Sequence, residues 1–225
     1  MPGKITIYVD VVSPFAYMGY YILRHSAAFK DITVEPVPIL LGGLMKATGN
    51  ITPISVKNKD KWIEVERHRW ARIFGIPMCG PQPPGFPVNM LKPDRALAYL
   101  HAKHPTHLPT ALDAVFHQFW GLPESNVKVA QPDGEHGFLA ALEKALPKEV
   151  FEGVREGWNG DVAKGRLGDN TKMAEGQGVF GLPWFACENG KGEKEGFWGV
   201  DHLGQVVRFM GLEARGGGEV LKALL

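Results

Sequence analysis

Residues 4–12, KITIYVDVV, alternate apolar and polar positions and are rich in β-branched side chains, the period-two pattern of a strand. The period changes after Ser13-Pro14. From Pro14 to about Lys30, helical spacing predicts a buried face of Phe15, Met18, Tyr21, Ile22 and Phe29. Pro14 suits the first turn of that helix, where its missing N–H has no helical partner to lose. Residues 32–38, ITVEPVP, read as a second strand, with prolines typical of a sheet edge. Strand, crossover helix and strand form a βαβ unit, and the crossover rule makes its strands parallel.

Farther along, the pattern turns helical. Residues 57–74 place Trp62, Val65, Trp70 and Ile73 among charges, and a Pro/Gly connector, GIPMCGPQPPGFPVN, follows over 75–89. Its prolines make it a defined connector rather than a flexible linker. Helical segments are predicted near 93–104, 109–121, 133–146, 148–158 and 161–177. Internal glycines such as Gly153, Gly157, Gly165 and Gly168 weaken them by about 1 kcal/mol each. Residues 183–188 (PWFACE) and 195–200 (EGFWGV) then form a hairpin across ENGKGEK, and a last helix starts near Asp201. The expected class is α/β: a thioredoxin-like fold, βαβ…ββα, interrupted by an all-helical insertion. Residues 1–56 and 178–225 would build the discontinuous thioredoxin-like domain and 57–177 the insertion domain.

Composition narrows the function. Of 225 residues, 25 are Lys or Arg and 24 Asp or Glu, a net charge of +1. That balance supplies no electrostatic drive toward nucleic acid or an anionic membrane, so neither is expected as a partner. No apolar run approaches the roughly 18 residues of a membrane span. The start, MPGKITIYVD, lacks the apolar core of a secretory signal, so a cytoplasmic protein is expected, with mitochondrial or peroxisomal residence left open. The terminal KALL is not a peroxisomal address. Two cysteines, Cys79 and Cys187, stand in unrelated contexts, and no Cys/His cluster suggests a metal. The run KNKDKWIEVERHRWAR reads as a solvated helix face, since Asp60, Glu64 and Glu66 interleave with Lys57, Lys59, Lys61, Arg67, Arg69 and Arg72. His68 and His202 are candidate acid/base groups, though ordinary histidines fit both positions. Trp120 and Trp198 read as core.

The chemistry concentrates at YVDVVSPFAYMGY, residues 8–20. Redox proteins of this fold often place Cys-x-x-Cys at such a strand-to-helix junction, but here the two positions hold Ser13 and Ala16. A helix start favours an anion through its free N–H groups and dipole. Ser13 cannot form a disulfide, yet its hydroxyl can donate one hydrogen bond to a thiolate brought by another molecule. Lowering a thiol pKa from about 8.5 to about 6.5 takes roughly 2.7 kcal/mol. One hydrogen bond to a charged group supplies about 1.5–3 kcal/mol and the helix end up to about 1. A plain N-cap is the alternative role for Ser13. In VFGLPWF, residues 179–185, a Gly-x-Pro loop entering a strand suggests a cis bond before Pro183 that frees the Leu182 backbone for an extended peptide. Amides near Val200 could hold a carboxylate while Asp201 holds an ammonium, unless Asp201 merely caps the last helix. Asp10 is placed to organise the Ser13 loop or to cap nearby.

Together, YVDVVSPFAYMGYYIL, LLGGLMKATGN, GVFGLPWF and WGVDHLGQVVRFMG resemble the kappa-class glutathione transferases and the related 2-hydroxychromene-2-carboxylate isomerases, over about residues 5–212. The resemblance implies a DsbA-like thioredoxin fold and glutathione as the cofactor. Ser13 would be the catalytic hydroxyl, and Leu182 beside Pro183 would pair with the cysteinyl backbone. Val200 and Asp201 would hold the γ-glutamyl end, and Asn50 and Lys59 the glycyl end. It also implies a homodimer and a small-molecule electrophile, processed by detoxifying transfer or by isomerisation. Val200 stands where the family often has serine, and Trp184 and Phe185 are bulkier than its usual residues; they would border the electrophile site, as would Phe15-Ala16-Tyr17. The competing class is a non-catalytic thioredoxin-like module that binds extended peptides.

Overall fold

The computed structural model describes residues 3–122, 127–213 and 220; the KALL tail lies outside them. Strand β1 (Lys4–Val9) is central, flanked by β2 (Thr33–Pro38) and β3 (Trp184–Glu188), with β4 (Lys194–Trp198) beyond β3. β1 runs parallel to β2 and antiparallel to β3, as a crossover before β2 and a return from the far side require. Pro36 and Pro38 fall on the edge strand, where a missing donor leaves no ladder bond broken. The β3–β4 hairpin closes through Asn189, whose Oδ1 accepts the amides of Lys191 (3.0 Å) and Glu193 (3.1 Å). This is the thioredoxin-like α/β fold that the element order predicted.

Helix α1 (Pro14–His25) begins at the expected break but stops at Ser26, which caps a short 3₁₀ turn, Ala27–Phe29. Its buried face is wider than the periodicity suggested: Tyr17, Met18, Tyr20, Ile22 and Leu23 are buried, whereas Phe15 and Tyr21 are only partly so. Tyr17 donates to the Pro77 carbonyl (3.0 Å) and Tyr20 to the Pro109 carbonyl (2.9 Å), tying the helix to the inserted segment. At Gly19, α1 lies close against the sheet. A Cβ there would lie 2.9 Å from Phe185 Cζ and 3.2 Å from Pro183 Cβ.

Between β2 and β3 lie α2 (Leu41–Thr48), α3 (Lys59–Phe74), α4 (Leu91–Lys103), α5 (Leu108–Phe116), α6 (Phe138–Ala145), α7 (Lys148–Gly157) and α8 (Asp161–Gly176). Sequence pattern missed α2, because Gly42 and Gly43 at its start lower its propensity; tertiary contacts override that. Helix α5 continues into a π-helical turn, His117–Gly121, that buries Phe119 and Trp120. The last segment is a 3₁₀ turn, Val200–His202, leading into α9 (Leu203–Phe209). Gly199, at φ 95°, caps that turn. Asp201 lies inside the turn and makes no cap.

Two readings of α3 and the tryptophans need correction. Arg67 is fully buried rather than solvated. Its guanidinium meets Glu64 (2.8 Å) and the carbonyls of Cys79 (3.3 Å) and Gly80 (2.7 Å), and lies 5.7 Å from the Trp120 ring centroid. Helix periodicity alone cannot see that the Pro-rich connector folds back over that face. Trp120 is core as expected, but Trp198 is 46% exposed because β4 is an edge strand.

Substituting Gly19→Val should overpack the α1–β3 contact and lower unfolding free energy by about 1–3 kcal/mol, read from the denaturant midpoint. Arg67→Met strands two connector carbonyls and Glu64, and should cost about 3 kcal/mol in the same assay.

Candidate active site

Ser13 ends the loop after β1. With φ −88° and ψ 112° it is in extended conformation, and its Oγ accepts the Ala16 N–H at 3.1 Å. It is therefore the N-cap of α1. Capping uses the oxygen lone pairs and leaves the hydroxyl proton free to donate elsewhere, so the cap and the donor roles coexist. Ser13 is buried and lines a cavity of about 340 Å³, within the ~300–1,000 Å³ usual for small-molecule sites.

Four pieces of chain wall that cavity. The start of α1 contributes Ser13, Pro14 and Phe15, and α2 with its preceding turn contributes Leu40, Leu41 and Met45. The connector supplies Phe86, Pro87, Val88 and Met90, and the loop before β3 supplies Gly181 and Leu182. Asp10 and Val12 before Ser13, the turn at Thr52, Pro53 and Ile54, Ile63 of α3 and the exposed Trp198 also line it. The walls are mostly apolar, which excludes water and strengthens any charge–dipole interaction made inside. The Leu182–Pro183 bond is cis, as the Gly-x-Pro loop suggested, and so is Phe86–Pro87. Leu182 precedes the β3 ladder, which begins at Trp184, so its backbone stands at the cavity rather than in the sheet.

Asn50 also lines the cavity, but its side chain is engaged. Nδ2 donates to the Phe180 carbonyl (2.8 Å) and Oδ1 accepts the Ile51 N–H (2.8 Å), pinning the end of α2 to the loop before Pro183. Lys59 is exposed outside the lining, four residues before Ile63 and so on the same face of α3. Val200 is buried, while the Asp201 side chain is 62% exposed and lies 3.4 Å from His202 Nδ1. Ser13, Asn50 and Leu182 thus share the cavity; Lys59, Pro183, Val200 and Asp201 stand outside its lining.

The bulky pair after Pro183 acts differently from expectation. Phe185 is fully buried against Gly19, and Trp184 packs on Phe180 at 5.6 Å between ring centroids. Neither lines the cavity; Phe15 does. Trp198 packs tilted against Phe180, 4.9 Å between ring centroids, and covers Gly181. Sequence reasoning also missed the connector's part in the site. The signal was present: Phe86, Val88 and Met90 are large apolar residues alternating at the end of the segment read only as a defined connector.

Cys187 is buried and its thiol is pushed up to about 12 by desolvation, so it is inert as a nucleophile. His68 meets Glu64 at 3.1 Å on α3, away from the cavity lining. No group of metal-ligating side chains occurs among the described residues, and no helix among them is long and apolar enough to cross a membrane.

A strand-to-helix junction with serine in place of the redox cysteine, facing a cis-proline loop, defines a thioredoxin-like protein without its own dithiol. The DSBA-like thioredoxin domain family model matches residues 4–211, and the chain belongs to that family. Its homologues include human glutathione S-transferase kappa 1, 25% identical over 217 residues, with 94% of this chain and 92% of the relative covered. The 2-hydroxychromene-2-carboxylate isomerase of Pseudomonas putida is 25% identical over 218 residues, covering 92% and 94%. In fold, a solved structure of a 2-hydroxychromene-2-carboxylate isomerase superposes with a TM-score of 0.71 at 23% identity, over 96% of this chain and 98% of that one.

Proposed function

We propose that the protein is a kappa-type glutathione transferase in which Ser13 donates a hydrogen bond to the glutathione thiolate and so arms it against a small electrophile. The observation that carries this reading is the Ser13 hydroxyl: its oxygen accepts the Ala16 amide, and its proton is available at an apolar cavity beside the positive end of α1. One charge-assisted hydrogen bond of about 1.5–3 kcal/mol, with up to about 1 from the helix end, matches a thiol shift of roughly two pKa units.

In this reading Leu182 pairs through its backbone with the cysteinyl unit, next to the thiolate. The Val200 amide and Asp201 take the carboxylate and ammonium of the γ-glutamyl end. Asn50 and Lys59 approach the glycyl end, Asn50 chiefly by holding the Phe180 loop in place. Glutathione acts as co-substrate. Phe15, Met45, Phe86 and Trp198 offer the electrophile an apolar wall. Homodimer formation belongs to the same proposal, and the exposed Ile51, Val56, Trp62 and Val65 are compatible with a subunit contact.

The isomerase relative at equal identity favours a second reading with the same residues: addition of the thiolate, bond rotation in the adduct, and release of glutathione. Stoichiometric conjugate accumulation marks transfer, whereas rearranged product at constant glutathione marks isomerisation.

Replacing Ser13→Ala should leave the protein folded, destabilised by about 1 kcal/mol through the lost cap. The pKa of bound glutathione should rise by about 1–2 units, followed by ultraviolet thiolate absorbance against pH. An unaltered titration would remove Ser13 from the mechanism. Asp201→Ala should weaken glutathione binding about fivefold, the upper range for an exposed ion pair, as read by calorimetry; an unchanged Kd would displace the γ-glutamyl end from this position.

A further inference from the structure

Two carboxyl groups lie buried together behind the Ser13 loop: Asp10 is 2% exposed and Asp94 0%. Asp10 follows β1, and Asp94 sits in the first turn of α4. Their bonds go to the backbone that leads into Ser13. Asp94 Oδ1 accepts the Val11 N–H (3.3 Å), Asp10 Oδ1 accepts the Val12 N–H (2.9 Å), and Asp10 Oδ2 accepts the Leu41 N–H (2.8 Å) at the start of α2. The Asp10 carbonyl accepts the Ser13 N–H (3.1 Å), and the Val11 carbonyl accepts Trp120 Nε1–H (2.9 Å). One oxygen remains: Asp94 Oδ2 is buried with no donor to accept from. The Asp10 carboxyl acts directly on that of Asp94, and one carboxyl oxygen can bond another only by carrying a proton.

We propose that Asp94 is a positioning residue for Ser13: it keeps its carboxyl proton, donates it to Asp10, and thereby locks residues 10–13 in the conformation that presents the Ser13 hydroxyl to the cavity. Without the proton, two like charges would face each other in a desolvated space. Desolvation raises both groups. Both oxygens of Asp10 accept backbone amides, from Val12 and Leu41, which favours its charged form, whereas Asp94 accepts one amide on Oδ1 and keeps Oδ2 free to carry the proton. The neighbouring cations are turned elsewhere. Lys92 and Arg95, on either side of Asp94 in α4, bond Gln131 (2.7 Å) and Asn159 (2.8 Å). Helix α2 reaches the pair through the Leu41 amide, and the π-helical turn reaches the same loop through the Trp120 indole. Among the described residues, no lysine, arginine or histidine forms an ion pair with either carboxyl.

The pair also fastens three separate parts of the chain at one point: the loop after β1, the start of α2 and the inserted helix α4. Leu41 and Met90, next to two of these attachments, are themselves cavity walls. Asp94 therefore acts on the site through Asp10 and the backbone, without touching a substrate. The consequence for thiolate formation rests on the Ser13 reading above; the proton on Asp94 does not.

Asparagine at position 94 reproduces both the acceptor for Val11 and the donor to Asp10 but has no proton to lose. Folded Asp94 holds its proton above the unfolded value of about 3.9, so the stability it contributes is present at low pH and falls as pH rises toward the folded pKa. Melting midpoints of ligand-free wild type and Asp94→Asn, compared from about pH 5 to about pH 8, should diverge steadily in favour of the variant. A difference that stays constant with pH overturns the shared proton. In thiolate titrations with glutathione, Asp94→Asn should stay close to wild type, while Asp94→Leu should raise the thiol pKa by about one unit, a tenfold loss of thiolate at fixed pH below it. A wild-type titration in Asp94→Leu overturns the positioning role. Should Asp94→Leu not fold, Asp10→Asn replaces it, since an amide cannot accept from both Val12 and Leu41; again an unshifted titration overturns the role. Wild-type protein that forms no thiolate at any pH would remove the Ser13 reading and this consequence with it, and the melting comparison would still decide where the proton lies.

Discussion

Everything at this site depends on one hydrogen bond, the Ala16 amide donating to the Ser13 hydroxyl oxygen. It ends α1 at a defined residue, satisfies a helix-terminal donor and fixes the rotamer of a side chain at a cavity. It also leaves a proton to donate. A cysteine there could bring its own anion, whereas serine brings only a hydrogen-bond donor.

That bond is useful only if the backbone before Ser13 is rigid. Residues 10–12 belong neither to β1 nor to α1, and such loops are usually the mobile part of a fold. Here Val11 is held from outside by Asp94 and Trp120, Asp10 by the start of α2, and Val12 in turn by Asp10. The inserted helices therefore do more than cover the sheet. Arg67 extends the same arrangement, gripping the carbonyls of Cys79 and Gly80 so that the connector presents Phe86 and Met90 to the cavity.

Much of this could be read from the chain. Strand-helix-strand followed by two strands and a helix gave the sheet its parallel and antiparallel pairs, and the prolines of β2 marked its edge. Ser13, Asn50 and Leu182, the last more than a hundred residues from the other two, do meet at one cavity. Helix α2 escaped notice because its glycines argue locally against a helix, and Arg67 because an amphipathic pattern cannot say which charges another segment will bury. Trp198 misled in the opposite sense, since large aromatics are usually covered and this one lies on an edge strand.

Local chemistry sufficed to determine the order of elements, the helix start at Ser13-Pro14 and the absence of a dithiol there, because these follow from periodicity, fixed proline geometry and residue identity. Tertiary structure alone decided that Asp94 meets Asp10, that the connector becomes a cavity wall, and that Asn50 turns toward Phe180. Those contacts join positions distant in sequence, and their strength comes from removing water around groups that, taken singly along the chain, look like ordinary surface residues.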